Sequence, residues 1–361
     1  VDRIAKLIPA ELKMTLDKAI DRVPELQQMA NSRGDEGKLI EYARRLEGMA
    51  RHASVHACAV IIAPTDLTDY VPLYRAPKDG TITTQFVGET CMDVGLLKMD
   101  FLGLKELSLM DEAERLIRLK VSDFDLGKVP WDDRPTFDLF GRGETIGVFQ
   151  FESGGMREYL SKLKPDNLED IIAMNALYRP GPMENIPTFI ARKSGKEEVV
   201  YPHPKLEEIL EPTYGIMVYQ EQVMRIAQVL AGFSMGQADI LRKAMGKKKP
   251  EEMAKVKKDF VGGCVGLDVD KKIAENLFAD IEIFAGYAFN KSHAACYSEV
   301  AYKNAYLKAN HPKEYMAASL TMDRSNTDRL TILLDDCRRM GMPVLPPDIN
   351  QSTLNFTPTD E

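Results

Sequence analysis

The amino-acid sequence predicts an α+β fold in which a short strand-rich segment is followed by a much larger helical one. Three observations predict it. Ala59-Val60-Ile61-Ile62 and Thr81 to Phe86 are short runs rich in β-branched residues, the composition of a pleated, half-buried surface. From about residue 106 to about 340 helical patterns dominate, interrupted by Pro/Gly turns. Ahead of both, Ile40, Ala43, Leu46 and Glu47 are spaced for an amphipathic helix after the loop Asn31-Ser32-Arg33-Gly34-Asp35.

Taken in order, residues 1–55 are predicted to be helical, with Val1 to Leu7 an amphipathic run. Residues 56–105 switch to strands, the last of which carries Lys98 and Asp100. A helix such as Glu106 to Leu119 follows and opens the helical region of 106–340. Phe149 and Phe151 flank Gln150 like a buried strand, which favours core packing over base stacking. In residues 341–361 the run Leu354-Asn355-Phe356-Thr357 alternates like a strand lacking its partner. Short-period repeats and low-complexity tracts are absent.

Composition narrows the class. With 361 residues, 44% hydrophobic and 28% charged, the chain has material for two or three cores and no signature of disorder. It contains neither a charged-then-apolar leader, nor a membrane-length apolar run, nor a lipidation motif, so a cytoplasmic protein with no membrane partner is expected. Cys58, Cys91, Cys264, Cys296 and Cys337 are scattered without a C-x-x-C pair, which speaks against a zinc ribbon or disulfide framework. The net charge of −8 hides a local excess: Gly236 to Lys258 holds eight basic residues against three acidic ones. Binding to a polyanion depends on where the cations sit rather than on their sum.

The run Gly95 to Leu104 places one ammonium and one carboxylate two residues apart in an otherwise apolar strand. Side chains alternate in an extended segment, so Lys98 and Asp100 are predicted to project together while Leu97, Met99 and Phe101 anchor the other face in a core. Such a carboxylate suits Mg²⁺, which takes hard oxygen ligands, and the lysine suits a phosphate chain. On these residues alone a strand-edge ion pair accounts for the pattern equally well. Asp123-Phe124-Asp125 and Asp268-Val269-Asp270 also read D-x-D, but neither lies in an apolar strand that would hold a metal ligand rigidly. His52 and His56 are four apart, yet no acidic third ligand follows at zinc spacing.

Further along, Ala238, Leu241 and Met245 form an apolar helical stripe that leaves Arg242, Lys243 and Lys247 facing outward. Pro250 is placed to end one helix and start the next, with Glu251 and Glu252 in its first turn. In Tyr287 to Ala294, Ser292 is predicted as the N-cap of a helix whose small face is Ala294, Ala295, Ser298 and Ala301. Its free N–H groups would let Lys291, Ser292 and His293 approach a sugar or phosphate. Tyr178-Arg179-Pro180-Gly181-Pro182 is a rigid turn in which Arg179 either touches a ligand or has a structural role only.

Lys98-Met99-Asp100-Phe101-Leu102-Gly103-Leu104 resembles the third metal-ligand motif of the C family of bacterial replicative DNA polymerases, the polymerase III alpha subunits. The resemblance continues collinearly through Val148 to Ser153, Tyr178 to Pro182, Thr213 to Ile216, Tyr219 to Met224, Arg242 to Met253, Phe289 to Ala294 and Leu345 to Asn350. It implies a thumb remainder over 1–55, the second half of a beta-polymerase-like nucleotidyltransferase palm with a mixed sheet over 56–105, and fingers over 106–340. Residues 341–361 would lead toward a helix-hairpin-helix and clamp-binding region.

The resemblance also implies chemistry: two Mg²⁺ ions bridging three aspartates, of which Asp100 is one, with Lys98 neutralising charge on primer or triphosphate. Arg242 and Lys243 would contact the triphosphate of an incoming dNTP. Asn290, Lys291, Ser292 and His293 would line the nucleotide, His293 against the deoxyribose. Lys247, Lys248, Lys249 and Arg179 would meet primer-template DNA. The family's other two metal ligands lie on an upstream strand, so residues 1–361 by themselves are not expected to polymerise. A sliding clamp and other replisome subunits would be bound through other regions. Where the family often has glycines after the histidine matching His56, this chain reads Ala57-Cys58-Ala59. An error-prone paralogue and a catalytically decayed DNA-binding scaffold are the alternatives; intact Asp100, Lys98, Arg242 and Lys243 speak against decay.

Overall fold

The computed structural model describes residues 2–9, 14–49, 55–56, 58–76, 80–247, 250–285, 288–350 and 352–359, without the side chains of 246, 247, 250–252 and 285. The chain forms two compact units, Val1–Gly103 and Leu104–Glu361.

The first unit begins with four helices, α1 (Asp2–Ala5), α2 (Leu16–Arg22), α3 (Pro24–Ala30) and α4 (Asp35–Leu46). Thr15 caps α2 by accepting from the Lys18 amide, and Pro24 opens α3 at a position where no amide proton is needed. Leu16, Ile20, Leu26, Met29 and Ile40 form their shared core. Leu46 falls outside that core and is exposed.

The same unit then builds β1 (Ala59–Ile62), β2 (Leu73–Arg75), β3 (Ile82–Thr84), a short helix α5 (Gly88–Asp93) and β4 (Leu97–Asp100). β1 pairs with β4 and β2 with β3, both antiparallel. The described strands therefore do not make the mixed sheet that the resemblance implies.

The register corrects a second expectation. Directly opposed residues of an antiparallel pair share a face, so Val60 joins Met99 and Ile62 joins Leu97 on one side, while Ala59 joins Asp100 and Ile61 joins Lys98 on the other. The small core of Val71, Cys91 and Leu96 packs against Ile61, under the charged face. Leu97, Met99 and Phe101 are consequently 53%, 40% and 64% exposed instead of anchored.

The second unit comprises α6 (Lys105–Arg118), α7 (Arg134–Gly141), α8 (Gly154–Leu163), α9 (Leu168–Leu177), α10 (Ile186–Lys193), α11 (Glu207–Leu210), α12 (Gln220–Ala231), α13 (Met235–Lys247), α14 (Pro250–Gly266), α15 (Lys271–Ala285), α16 (Lys291–Asn310), α17 (Pro312–Met322) and α18 (Thr327–Arg339). The long helix α16 organises it. Ala294, Ser298 and Ala301 are fully buried, and their small side chains let α9 come close enough for Asn175 Nδ2 to donate to the Ala294 carbonyl and Ser298 Oγ at 3.3 Å each.

Towards the C-terminal end of α16, Lys308 is completely buried against Asp336 of α18 at 2.7 Å. A second core holds α12 to α15 together and includes Leu241 and Met245, two of the predicted stripe. There α14 runs so close to α12 that a Cβ at Gly263 would collide with the Ala231 carbonyl oxygen.

Two sequence expectations fail in this unit. The Phe149-Gln150-Phe151 segment is a turn with Gln150 in the left-handed region at φ +64°. Phe151 is nonetheless fully buried, as core packing requires. The Leu354 to Thr357 segment forms no strand. Its Phe356 amide donates to Thr321 Oγ1 of α17 at 3.1 Å, so the tail is tied to a helix side chain rather than to a β ladder.

Candidate functional site

Antiparallel pairing with β1 holds β4 extended, and extension puts Lys98 and Asp100 on one face. Lys98 Nζ donates to both carboxylate oxygens of Asp100, at 2.7 and 2.8 Å. The lysine stem lies along α5, where a Cβ at Gly88 would meet Lys98 Cδ at 2.9 Å. The Lys98 hydrogen bond is the main reason the Asp100 carboxyl sits below its ordinary pKa; desolvation opposes this, while the charges of Lys98 and His56 add to it. At neutral pH the site thus presents an ionised, solvent-facing oxygen donor.

His56 and Cys58 close in on the same carboxylate. One ligand atom from each of His56, Cys58 and Asp100 falls within 4.8 Å of the others. His56 Nδ1 accepts from the amides of Cys58 and Ala59 at 3.2 and 3.0 Å. A search along the chain at zinc spacing misses this cluster, because the register that sets Ala59 opposite Asp100 brings the acid from another strand. His52 lies outside the described residues.

In each of the two other D-x-D pairs the second aspartate is engaged by local structure. Asp125 accepts from the Gly127 amide at 2.8 Å and pairs with Lys128 at 2.9 Å. Asp270 accepts from the amides of Lys272 and Ile273 at 2.8 and 3.1 Å.

In the helical unit, Ala238, Leu241 and Met245 are buried, which turns Arg242 and Lys243 toward solvent. Asp239 holds both, the guanidinium at 2.7 Å and the ammonium at 2.8 Å. Sharing one carboxylate leaves this turn of α13 with a surplus positive charge. Lys248, Lys249 and the side chain of Lys247 lie outside the described residues.

The start of α16 is built differently from the expectation. Asn290, not Ser292, is the N-cap: its side chain accepts from the His293 amide at 2.8 Å. Only a side chain one position before the helix can curl back onto the third helical amide, and Ser292 already lies inside the helix and is exposed.

Glu221, in the first turn of α12, accepts from Asn290 Nδ2 at 2.8 Å and from the Lys291 amide at 2.9 Å. The amides of Lys291 and His293 therefore have internal partners. Lys291 Nζ pairs with Glu169 at 3.0 Å and stands 5.4 Å from the centre of the Tyr219 ring. His293 is exposed and lies over Tyr297, ring centres 4.2 Å apart.

The Arg179 guanidinium covers the Phe289 ring at 4.1 Å, and its Nε donates to the Ala176 carbonyl at 2.8 Å. Burial lowers its pKa from the ordinary arginine value. The Tyr178 to Pro182 turn and the Phe289 to His293 segment, far apart in sequence, thus meet. Glu169 and Glu221, which sequence reasoning does not single out, are the acids that orient this junction. The signal available for Glu221 is its place beside Tyr219 and Gln220, whose amide donates to the Phe289 carbonyl at 2.8 Å.

Residues 1–103 match the family described as the bacterial DNA polymerase III alpha NTPase domain, and residues 106–267 match the bacterial DNA polymerase III alpha subunit finger domain. The chain belongs to the bacterial DNA polymerase III alpha family. Among its relatives are the DNA polymerase III alpha subunits of Borreliella burgdorferi, 49% identical over 359 residues that are 99% of this chain and 31% of the relative, and of Thermus aquaticus, 50% identical over 363 residues, 98% and 30% respectively. That of Escherichia coli K12 is 46% identical over 373 residues, covering 100% of this chain and 32% of the relative. The chain therefore spans about a third of the length of the DNA polymerase III alpha subunits it matches. No helix among the described residues is long and apolar enough to cross a membrane.

Proposed function

We propose that this chain carries part of the nucleotidyl-transfer centre of a replicative DNA polymerase, which adds dNTPs to a primer 3′ hydroxyl under template direction. The observation that carries the reading is Asp100, an ionised carboxylate on a paired strand with Lys98 on both of its oxygens. Its exposed oxygens fit Mg²⁺, which binds through one or two carboxylates and keeps several waters. When bound, Mg²⁺ would activate the primer oxygen and neutralise the leaving pyrophosphate. The Asp100 cluster contains a single carboxylate among the described residues, so a two-metal centre draws its remaining carboxylates from elsewhere in the full-length protein. The isolated chain is then inactive.

The chain's own side chains divide the remaining work. Lys98 keeps Asp100 ionised and aimed, and offers its ammonium to primer or triphosphate once metal takes the carboxylate. Arg242 and Lys243 exchange Asp239 for triphosphate oxygens, a swap favoured because several phosphate charges replace one carboxylate. Asn290 and Lys291 fix the start of α16, so that Ser292 and the His293 ring, braced on Tyr297, face the nucleotide sugar. Arg179, Lys247, Lys248 and Lys249 serve the DNA backbone. Sliding clamp and replisome partners bind through other parts of the full-length protein, in the cytoplasm.

Arg242→Ala in the full-length protein is expected to raise the apparent KM for dNTP, or lower turnover, by roughly tenfold or more, the loss of one charge-assisted contact. Primer-template affinity is expected to stay unchanged; a variant defective only in DNA binding would contradict the assignment. For His293→Ala, competition between a dNTP and its ribonucleotide is expected to shift toward the ribonucleotide. An unaltered sugar preference would remove His293 from the nucleotide contacts.

A further inference from the structure

We propose that His56, Cys58 and Asp100 form a site for a thiophilic divalent cation of the zinc class, whose occupation excludes the catalytic metal from Asp100. The exclusion rests on the reading of Asp100 given above; the binding does not. One imidazole, one thiol and one carboxylate present their ligand atoms within 4.8 Å of one another. Zinc ligands at their usual bond lengths stand about 3.5 Å apart around a tetrahedral ion, and Cys58 Sγ already lies 3.6 Å from His56 Nδ1. The site is pinned where the strands join: the Cys58 carbonyl accepts from the Phe101 amide at 2.9 Å, one residue beyond Asp100. Closing it requires the His56 ring to turn off two backbone amides and Lys98 to release one Asp100 oxygen.

The donor set decides which cation binds. Mg²⁺ gains nothing from sulfur or imidazole, whereas zinc-class ions prefer both. On binding, the Cys58 S–H bond breaks, its proton goes to solvent and the sulfur electron pair forms the metal bond. The Nδ1 lone pair of His56 leaves the Cys58 and Ala59 amides, both of which are exposed enough to turn to water. Thiolate and carboxylate balance the two positive charges, so Lys98 yields one Asp100 oxygen to the metal. A fourth position stays open to water.

The test is a Co²⁺ titration of the full-length protein without Mg²⁺, read by absorption, with Cys58→Ser, His56→Ala and Cys296→Ser as variants. Cys296 is an exposed cysteine on α16. The expected result is a thiolate-to-cobalt charge-transfer band that disappears in Cys58→Ser, weakens at least about tenfold in affinity in His56→Ala and persists in Cys296→Ser. Absence of the band, or a band that survives Cys58→Ser, overturns the site.

Zinc inhibition of primer extension at fixed Mg²⁺ is the second readout, and Cys58→Ser is expected to require roughly tenfold more zinc for half-inhibition. A Cys58-dependent cobalt band with extension indifferent to zinc would support the metal site and refute the catalytic role of Asp100. Loss of extension in Asp100→Asn without any cobalt band would do the reverse.

Discussion

Asp100→Asn in the full-length protein is expected to reduce primer extension by roughly a thousandfold or more while leaving primer-template affinity within about twofold. Losing the anionic metal ligand removes several kcal/mol of transition-state charge stabilisation, and each 1.36 kcal/mol is about tenfold in rate. Asparagine keeps the shape of the side chain, and Asp100 makes its hydrogen bonds to Lys98 at an exposed position, so the fold has little to lose. Single-turnover extension alongside equilibrium DNA binding checks both halves. Extension at the parental rate would refute Asp100 as a ligand, and a parallel fall in DNA affinity would make it a DNA contact instead.

The second large effect is structural. Lys308→Met is expected to destabilise the helical unit by about 3–5 kcal/mol, the usual cost of breaking a buried charge pair by removing one partner. All three protons of the Lys308 ammonium are used, on the Glu144 carbonyl at 2.9 Å, the Ile146 carbonyl at 2.6 Å and Asp336 Oδ2 at 2.7 Å. Methionine fills the volume but leaves two carbonyls and a carboxylate oxygen buried without a donor, even though Arg339 still holds Asp336 Oδ1 at 2.8 Å.

Denaturant unfolding of residues 1–361 can be followed at Trp131, the one tryptophan of the chain, whose ring lies 5.2 Å from Tyr302 in the same unit. A midpoint displaced by less than the equivalent of about 1 kcal/mol would show that the pair contributes little, as replaced buried ion pairs sometimes do.

What the sequence makes legible is what local spacing controls. The stripe of Ala238, Leu241 and Met245 is buried as its period requires, and a helix does start at Pro250. The second aspartate of each rejected D-x-D pair, Asp125 and Asp270, bonds to its own backbone neighbours. Alternation at Lys98 and Asp100 is equally local and holds. Which face of β4 meets a core is a different matter: it is set by Ile61 on the partner strand and by Val71, Cys91 and Leu96, so the inference from Leu97 and Met99 alone fails.

Ser292 and Asn290 are both good capping residues, and only the path of the chain into α16 selects between them. The Asp239 pairs with Arg242 and Lys243 stand at i,i+3 and i,i+4 and are readable from spacing. Contacts that join remote segments, such as Arg179 on Phe289 or Asp100 beside Cys58, depend on register and packing that no local pattern encodes.

The most direct test of the central claim is to count bound Mn²⁺, as a stand-in for Mg²⁺, by electron paramagnetic resonance in the full-length protein assembled with primer-template and a non-hydrolysable dNTP. The account expects Asp100→Asn to lose bound Mn²⁺ at the ternary complex while DNA and nucleotide remain associated. An unchanged number of bound ions at unchanged affinity would contradict it.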